Sequence, residues 1–386
     1  MAATTVAATA TDLVAYVNTL LELSVELPVE SKKVDAGAAV AAVAPLAEKL
    51  LAHDAETDVE GAFRLLFDLV RVLPTAAAAK EARALLAVVL GKADEKAVLR
   101  LRIASTLFNK SAALPDVRFD VLVKVIAFAS ATGNTDLVAS YFDDVEALFA
   151  ATALSAEQRR ALYVAIADAL QAADAEAGKS LKVVQFLEKY LATFTADAAD
   201  IASGKAVAVR ATTLVLQHPV ASFVARVDLL SSPVVTTTLK GDQLLELLEI
   251  VSTKTLGEFA AFRASAGAAF FEAHALRADE LEATLRLFTL CSLPAGFAEI
   301  PYATVAAALA IEEDAVEQWI VKAITSGLVS AKVDQLKRTV VISRTLQRSF
   351  GAAQWQDVHA KLQLYQKNVA SVLEVVRSAR RAHQQK

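Results

Sequence analysis

Glycine and proline are scarce in this chain, 12 and 8 among 386 residues. Turns that need positive φ and forced breaks are therefore few, which excludes a loop-rich architecture and favours long helices joined by short turns. With one cysteine, Cys291, no internal disulfide can form; a reducing compartment is expected. An excess of basic charge is missing too. Lys and Arg number 39 against 44 Asp and Glu, a net charge of −5, so no global field exists to hold a phosphate backbone. Long apolar runs are also lacking, although mean hydropathy is +0.42. The charge-free stretch Ala211–Ala225 is interrupted by Gln217, His218 and Pro219, and a spanning helix needs ~20 apolar residues. The opening MAATTVAATA has no basic region ahead of a hydrophobic run, so no secretory signal is read. A soluble, cytoplasmic chain is expected.

What is present is apolar and helical in pattern. Apolar residues make up 55 % and charged residues 22 %, enough to bury a sizeable core. Alanine, the strongest helix former, recurs in nearly every segment. Phe119, Leu122, Val123 and Ile126 form one stripe at i, i+3, i+4, i+7. Gly133-Asn134 ends it, and Thr135-Asp136 reads as the cap that restarts the chain. Ser155 followed by Gln158 reads as a capping box. Further breaks fall at Ala177-Gly178, Ser203-Gly204, His218-Pro219, Ser231-Ser232-Pro233 and Lys240-Gly241. Antiparallel helix pairs with short turns predict an α-solenoid, without a repeat motif of fixed period.

Around Asp279 the pattern changes. One more helix carries Leu281, Leu285, Leu287 and Phe288. Ile300-Pro301-Tyr302 then leads a short helix, and a second begins at Glu312 with Val316, Trp319, Ile320, Ala323 and Ile324 on one side, closed by Gly327. Val329–Val333 and Thr339–Ser343 are β-branched runs around the polar turn Asp334–Arg338, a hairpin pattern. Helix, helix, helix, hairpin is the order of a winged helix. A last helix runs from Ala352 to about Gln385. The expected fold is thus all-α with a small β-hairpin: an α-solenoid, a winged helix and a long C-terminal helix. Residues 1–60 read as an N-terminal segment, helical or partly disordered, 61–278 as the solenoid, 279–350 as the winged helix and 351–386 as the C-terminal bundle helix.

Three stretches carry a family resemblance. They are Leu99–Arg102 through Asn109 to Val117-Arg118-Phe119, then Val333-Asp334-Gln335 with Arg338–Ser343, and Arg348-Ser349-Phe350-Gly351 with Gln354-Trp355-Gln356. On these, and on its plan, the chain resembles the PCI-domain family shared by the proteasome lid, the COP9 signalosome and translation initiation factor 3. The match leans to the initiation-factor subunits. The resemblance implies a non-catalytic scaffold subunit of initiation factor 3, joined to other PCI and MPN subunits and reaching the small ribosomal subunit through the complex. A subunit of the signalosome or the lid is the alternative.

The residues themselves give no chemistry to set against this. Ala177-Gly178-Lys179-Ser180 ends like a P-loop, but Ala173 stands where its first glycine belongs, and the preceding stretch reads as helix. His53, His218, His274, His359 and His383 have no His or Cys at i+3 or i+4, so no local metal motif exists. No GxSxG, GxGxxG or HExxH is present. Cys291 follows an apolar run and reads as a buried, inert thiol. No catalytic residue, cofactor, metal, small-molecule substrate or membrane contact is expected.

In DNA-binding winged helices the second helix of the motif enters the major groove. Here it holds Glu312, Glu313, Asp314 and Glu317 against Lys322 alone, so duplex readout is disfavoured. Lys337 and Arg338 in the wing and Arg377, Arg380 and Arg381 near the C-terminus are candidate RNA contacts. The plainer reading for the terminal cations is a solvated helix end favoured by the dipole, so direct RNA contact is expected to be weak or absent. The sharpest signal is the terminal helix. Trp355, Val358, Leu362, Tyr365, Val369, Val372 and Val376 step by 3, 4, 3, 4, 3, 4, an a/d seam on an otherwise polar helix. Trp355 and Val358 are expected to pack back onto the winged helix, and the rest to meet partner helices. Val340, Val341 and Ile342 form a second candidate partner surface through strand pairing at the hairpin edge. Arg100, Arg102 and Arg118 mark a third, on the solenoid.

Overall fold

The structure is a computed structural model that describes residues 2–22, 36–143, 145–146, 154–173, 177–194, 198–294, 296, 299–348 and 352–384. The chain divides into two compact units, Met1–Ala211 and Thr212–Lys386.

The first unit is helical throughout its described residues. In order come α1 (Ala2–Leu21), α2 (Ala36–Val43), α3 (Ala47–Ala52), α4 (Glu56–Val70), α5 (Thr75–Val89), α6 (Ala97–Lys110), α7 (Pro115–Ala131) and α8 (Ala139–Asp143). They continue as α9 (Ala156–Ala172), α10 (Ala177–Ala192) and α11 (Ala198–Ser203), and α12 (Lys205–Gln217) begins in this unit and ends in the second. Helices one or two places apart in sequence pack on one another, α4 on α6, α6 on α7, α7 on α9 and α9 on α10. Their apolar stripes meet in a core that includes Phe63, Leu66, Phe67, Leu86, Leu99, Ile103, Val121 and Ile126, each buried. Alanines fill the close approaches, with Ala62, Ala82, Ala104 and Ala129 at most 1 % exposed.

Local signals decide where these helices start and stop. Ser155 and Gln158 form the expected capping box, each side chain bonding the other's backbone N–H at 3.2 and 3.0 Å. Gly133 has φ 69°, and the Asn134 N–H reaches back to the Ala129 carbonyl at 2.8 Å, which closes α7. The expected cap at Thr135-Asp136 is not formed. Thr135 is buried and starts a short 3-10 turn that precedes α8, with no side-chain cap bond there.

The second unit continues through α13 (Pro219–Val224), α14 (Pro233–Thr238), α15 (Gln243–Thr253), α16 (Leu256–Ala273) and α17 (Ala278–Cys291). Asp242 caps α15 by accepting the Leu244 N–H at 3.0 Å. Then come β1 (Ile300–Pro301), α18 (Tyr302–Leu309), α19 (Val316–Thr325), β2 (Val329–Asp334), β3 (Thr339–Thr345) and α20 (Ala352–Gln384). The winged helix is therefore complete. Its sheet has three strands rather than the two of a bare hairpin, all antiparallel in the order β1-β3-β2. Gly327 (φ 72°) ends α19, with the Leu328 N–H bonded to the Ala323 carbonyl at 3.0 Å. The wing turn is fixed by Asp334, whose Oδ1 accepts the N–H groups of Leu336 and Lys337.

Candidate functional site

In the tail, the described side chains of α20 include no buried one. Along the a/d seam, exposure runs from 43 % at Val369 to 69 % at Tyr365, and Trp355, Leu362, Val372 and Val376 lie between. Only Val358 of the seam is half-buried. Trp355, expected to pack back onto the winged helix, is 63 % exposed instead. Leu364, Leu373 and Val375 add exposed apolar surface outside the strict seam. Monomeric proteins rarely leave a contiguous apolar ridge of this length in water.

At the winged helix the expected partner residues need correction. Val340 and Ile342 are 1 % and 2 % exposed. They sit on β3, the middle strand of the sheet, where β2 covers one side and β1 pairs with Val340 on the other. The Ile342 carbonyl also accepts the Gly296 N–H at 2.8 Å. The order β1-β3-β2 leaves β1 and β2 each with one neighbour among the described residues, and β2, with 6 residues against 2, is the longer edge. Only Val341 of the three is part-exposed.

The wing exposes something the sequence reading missed. Leu336 at the turn is 99 % exposed, and Val321 on α19 is 55 % exposed. Together with Val333 and Glu317 they line an open groove of about 500 Å³ between α19 and the wing. The available signal for Val321 was spacing, which turns it away from the face that buries Val316, Ile320 and Ala323. Ile324, four residues after Ile320 and read as part of the core side, is 39 % exposed instead.

The charges of the winged helix are largely spent within it. Arg338 Nη2 lies 2.9 Å from Asp314 Oδ1 and 3.7 Å from Glu313 Oε2, and Lys337 Nζ lies 3.2 Å from Glu299 Oε1. Glu317 accepts the Tyr302 hydroxyl at 3.0 Å and the Gln335 amide at 2.7 Å. Burial, and then this bond to Glu317, push the Tyr302 hydroxyl up to about 12. Arg377, Arg380 and Arg381 are exposed on the last turns of α20.

The solenoid arginines are mostly structural. Arg100 is 2 % exposed and donates to the carbonyls of Val89 at 2.8 Å, Val88 at 3.3 Å and Glu95 at 2.8 Å, closing the end of α5. Arg118 lies over the Phe108 ring at 4.5 Å. Only Arg102 is exposed, paired with Glu60 at 3.3 Å. Arg100 is therefore not available to a partner, contrary to expectation.

Among the described residues, no group of three or more His, Cys, Asp and Glu side chains is placed to hold a metal. Cys291 is buried, its thiol against the carbonyls of Leu287 and Leu328, and burial pushes its pKa up to about 11. Gly178-Lys179-Ser180 lies in the first turn of α10, not in a loop after a strand. No helix among the described residues is long and apolar enough to cross a membrane.

Comparison with known proteins bears on both halves of this surface. Residues 265–344 match the PCI domain, from within α16 to β3. Residues 348–376 match the C-terminal helix of eIF3 subunit M, and this segment contains the whole exposed seam from Trp355 to Val376. The chain is 35 % identical over 292 residues to eukaryotic translation initiation factor 3 subunit M of Aspergillus terreus, which covers 73 % of this chain and 62 % of the relative. It is 28 % identical over 284 residues to the subunit M of Phaeosphaeria nodorum, covering 72 % and 63 %. It is 27 % identical over 336 residues to that of Dictyostelium discoideum, covering 85 % and 80 %. The chain thus spans about three-fifths of the length of the two fungal relatives.

Proposed function

We propose that this chain, whose residues 265–344 match the PCI domain and 348–376 the C-terminal helix of eIF3 subunit M, is a non-catalytic scaffold subunit of translation initiation factor 3. It acts in the cytoplasm, assembles with other PCI and MPN subunits, and supports initiation on the small ribosomal subunit as part of that complex. In this reading residues 61–278 form the solenoid, 279–350 the winged helix and 351–386 the bundle helix, with α20 and the wing as the assembling elements.

The observation that carries the proposal is the bare seam of α20. Each large apolar side chain contributes about 1.5–3 kcal/mol when fully buried. Leu362, Tyr365, Val369, Val372 and Val376 lie exposed in the single chain. Covering them in a bundle supplies a driving force well above the ordering cost of a few side chains. Direct RNA contact is a lesser part of the reading. Lys337 and Arg338 are already paired, which leaves Arg377, Arg380 and Arg381 at the end of α20.

Affinity purification of the tagged full chain followed by mass spectrometry tests this. Initiation factor 3 subunits and small-subunit ribosomal proteins are expected. Recovery of signalosome or proteasome-lid proteins in their place would overturn it.

A further inference from the structure

A second surface in the C-terminal unit has a different character from the tail. A cleft of about 730 Å³ runs along one face of α17, walled by the start of α16 and the end of α18. Its size falls within the about 300–1,000 Å³ of ordinary ligand clefts. Leu256 and Ala260 of α16 and Ala308 and Ala310 beside α18 give it apolar walls. Its charge is one-sided: Lys254, Arg263, Arg286 and Arg348 line it, against the single carboxylate of Glu282.

That carboxylate is shared. Glu282 takes Arg263 Nη1 at 3.0 Å on one oxygen and Arg286 Nη2 at 2.7 Å on the other. Arg263 Nη2 pairs with Asp279 at 2.8 Å, and Arg286 Nε donates to the Leu309 carbonyl at 3.2 Å. Lys254 reaches Glu249 only at 3.8 Å. Asp279 and Glu249 stand outside the lining. A guanidinium offers five N–H groups in a planar fork, so these bonds leave donors on both arginines at the cleft. Half-exposed arginines beside an apolar wall recognise carboxylates with charge-assisted, often bidentate bonds. Clustered arginines are a recurring reader of acidic motifs.

We propose that this cleft docks an acidic, extended peptide segment of a partner protein, its carboxylates taken by Arg263 and Arg286 and its apolar side chains laid against Leu256 and Ala260. The site is separate from the α20 seam and does not depend on the assembly assigned to that helix.

Fluorescence anisotropy of the full-length chain with a short labelled peptide of alternating glutamate and leucine tests the proposal. Saturable binding is expected, weaker by at least about tenfold for the same peptide with glutamine in place of glutamate. Two variants give the same loss: Arg263→Glu reverses the charge, and Ala260→Trp, at an exposed helix position, fills the cleft without touching the core. Unchanged far-UV circular dichroism of Ala260→Trp keeps the result free of folding effects. Absence of binding, binding that neither variant weakens, or displacement of the peptide by a short oligouridylate would each overturn the assignment.

Discussion

Arg348 donates through Nη2 to the carbonyl oxygen of Val251 at 2.7 Å and also reaches that of Ile250 at 3.2 Å, 97 and 98 residues earlier in the chain. Both carbonyls belong to the last turn of α15, the negative end of the helix dipole, which favours a cation; the Ile250 carbonyl also accepts the Lys254 N–H at 3.1 Å. The guanidinium also sits over the Phe288 ring at 5.4 Å, and burial lowers its pKa. This one side chain therefore ties the segment just before α20 to the helical layer beneath it.

Replacing Arg348 with Met removes both bonds; the Ile250 carbonyl keeps the Lys254 N–H, while the Val251 carbonyl loses its guanidinium donor. A loss of roughly 2–4 kcal/mol is expected, from charge-assisted bonds removed in a part-buried setting. Thermal denaturation followed by circular dichroism measures it. Arg348→Lys keeps a charge but not the planar fork, so it recovers only part of the loss. An unchanged melting temperature in Arg348→Met would remove the clamp from this account.

Cys291 makes a prediction about pH. Its folded pKa of about 11 lies above the ordinary thiol value of about 8.5. The folded state thus holds the proton more tightly than the unfolded state. The stability that this contributes is fully present below about 8.5 and is lost as pH rises toward 11. At pH 8 the native protein should react with Ellman's reagent only as fast as it unfolds, and urea should release the thiol in step with the circular dichroism transition. Rapid labelling of the native chain would contradict the burial.

The exposed apolar pair of the wing groove is expected to serve assembly and not stability. Leu336→Asp and Val321→Asp, alone or together, should shift the unfolding midpoint little, as exposed substitutions usually change stability by no more than about 0.5 kcal/mol. They should reduce recovery of partner subunits in a pull-down. Full recovery with the double variant would remove this groove from the interface.

Much of this was readable from local pattern. The Ser155–Gln158 capping box, the Gly327 stop and the wing turn at Asp334 are short-range devices, and each appears where spacing put it. The a/d steps of α20 were legible for the same reason. What escaped was non-local. The two-residue β1 is too short to show a period, and it exists because Ile300 and Pro301 pair with Val340 and Thr339. Strand order follows from that pairing, so the hairpin residues that read as an edge are in fact central. Arg100 and Arg348 stood out only within the stretches that carry the family resemblance, not as buried clamps. Their burial depends on carbonyls that lie close by only in the folded chain.

Paired wing cations lead to a fourth expectation. Arg338 is held by Asp314 and Lys337 by Glu299, so Lys337→Glu with Arg338→Glu should change the affinity of the full chain for single-stranded RNA little. Replacing Arg377, Arg380 and Arg381 together should weaken any such binding and flatten its dependence on salt, since that slope scales with the number of phosphates neutralised. Filter binding across a salt series measures both. A large effect of the wing pair would show that its internal ion pairs open on RNA.

The central claim is that the apolar ridge of α20 is built to be covered by other chains, and hydroxyl-radical footprinting tests it most directly. Tyr365 and Leu362 are 69 % and 61 % exposed in the single chain. Both should be modified readily in the isolated protein and be protected several-fold in the purified complex, while the buried Phe63 and Phe288 stay unmodified in both. Equal modification of Tyr365 and Leu362 in the free and assembled states would contradict the account.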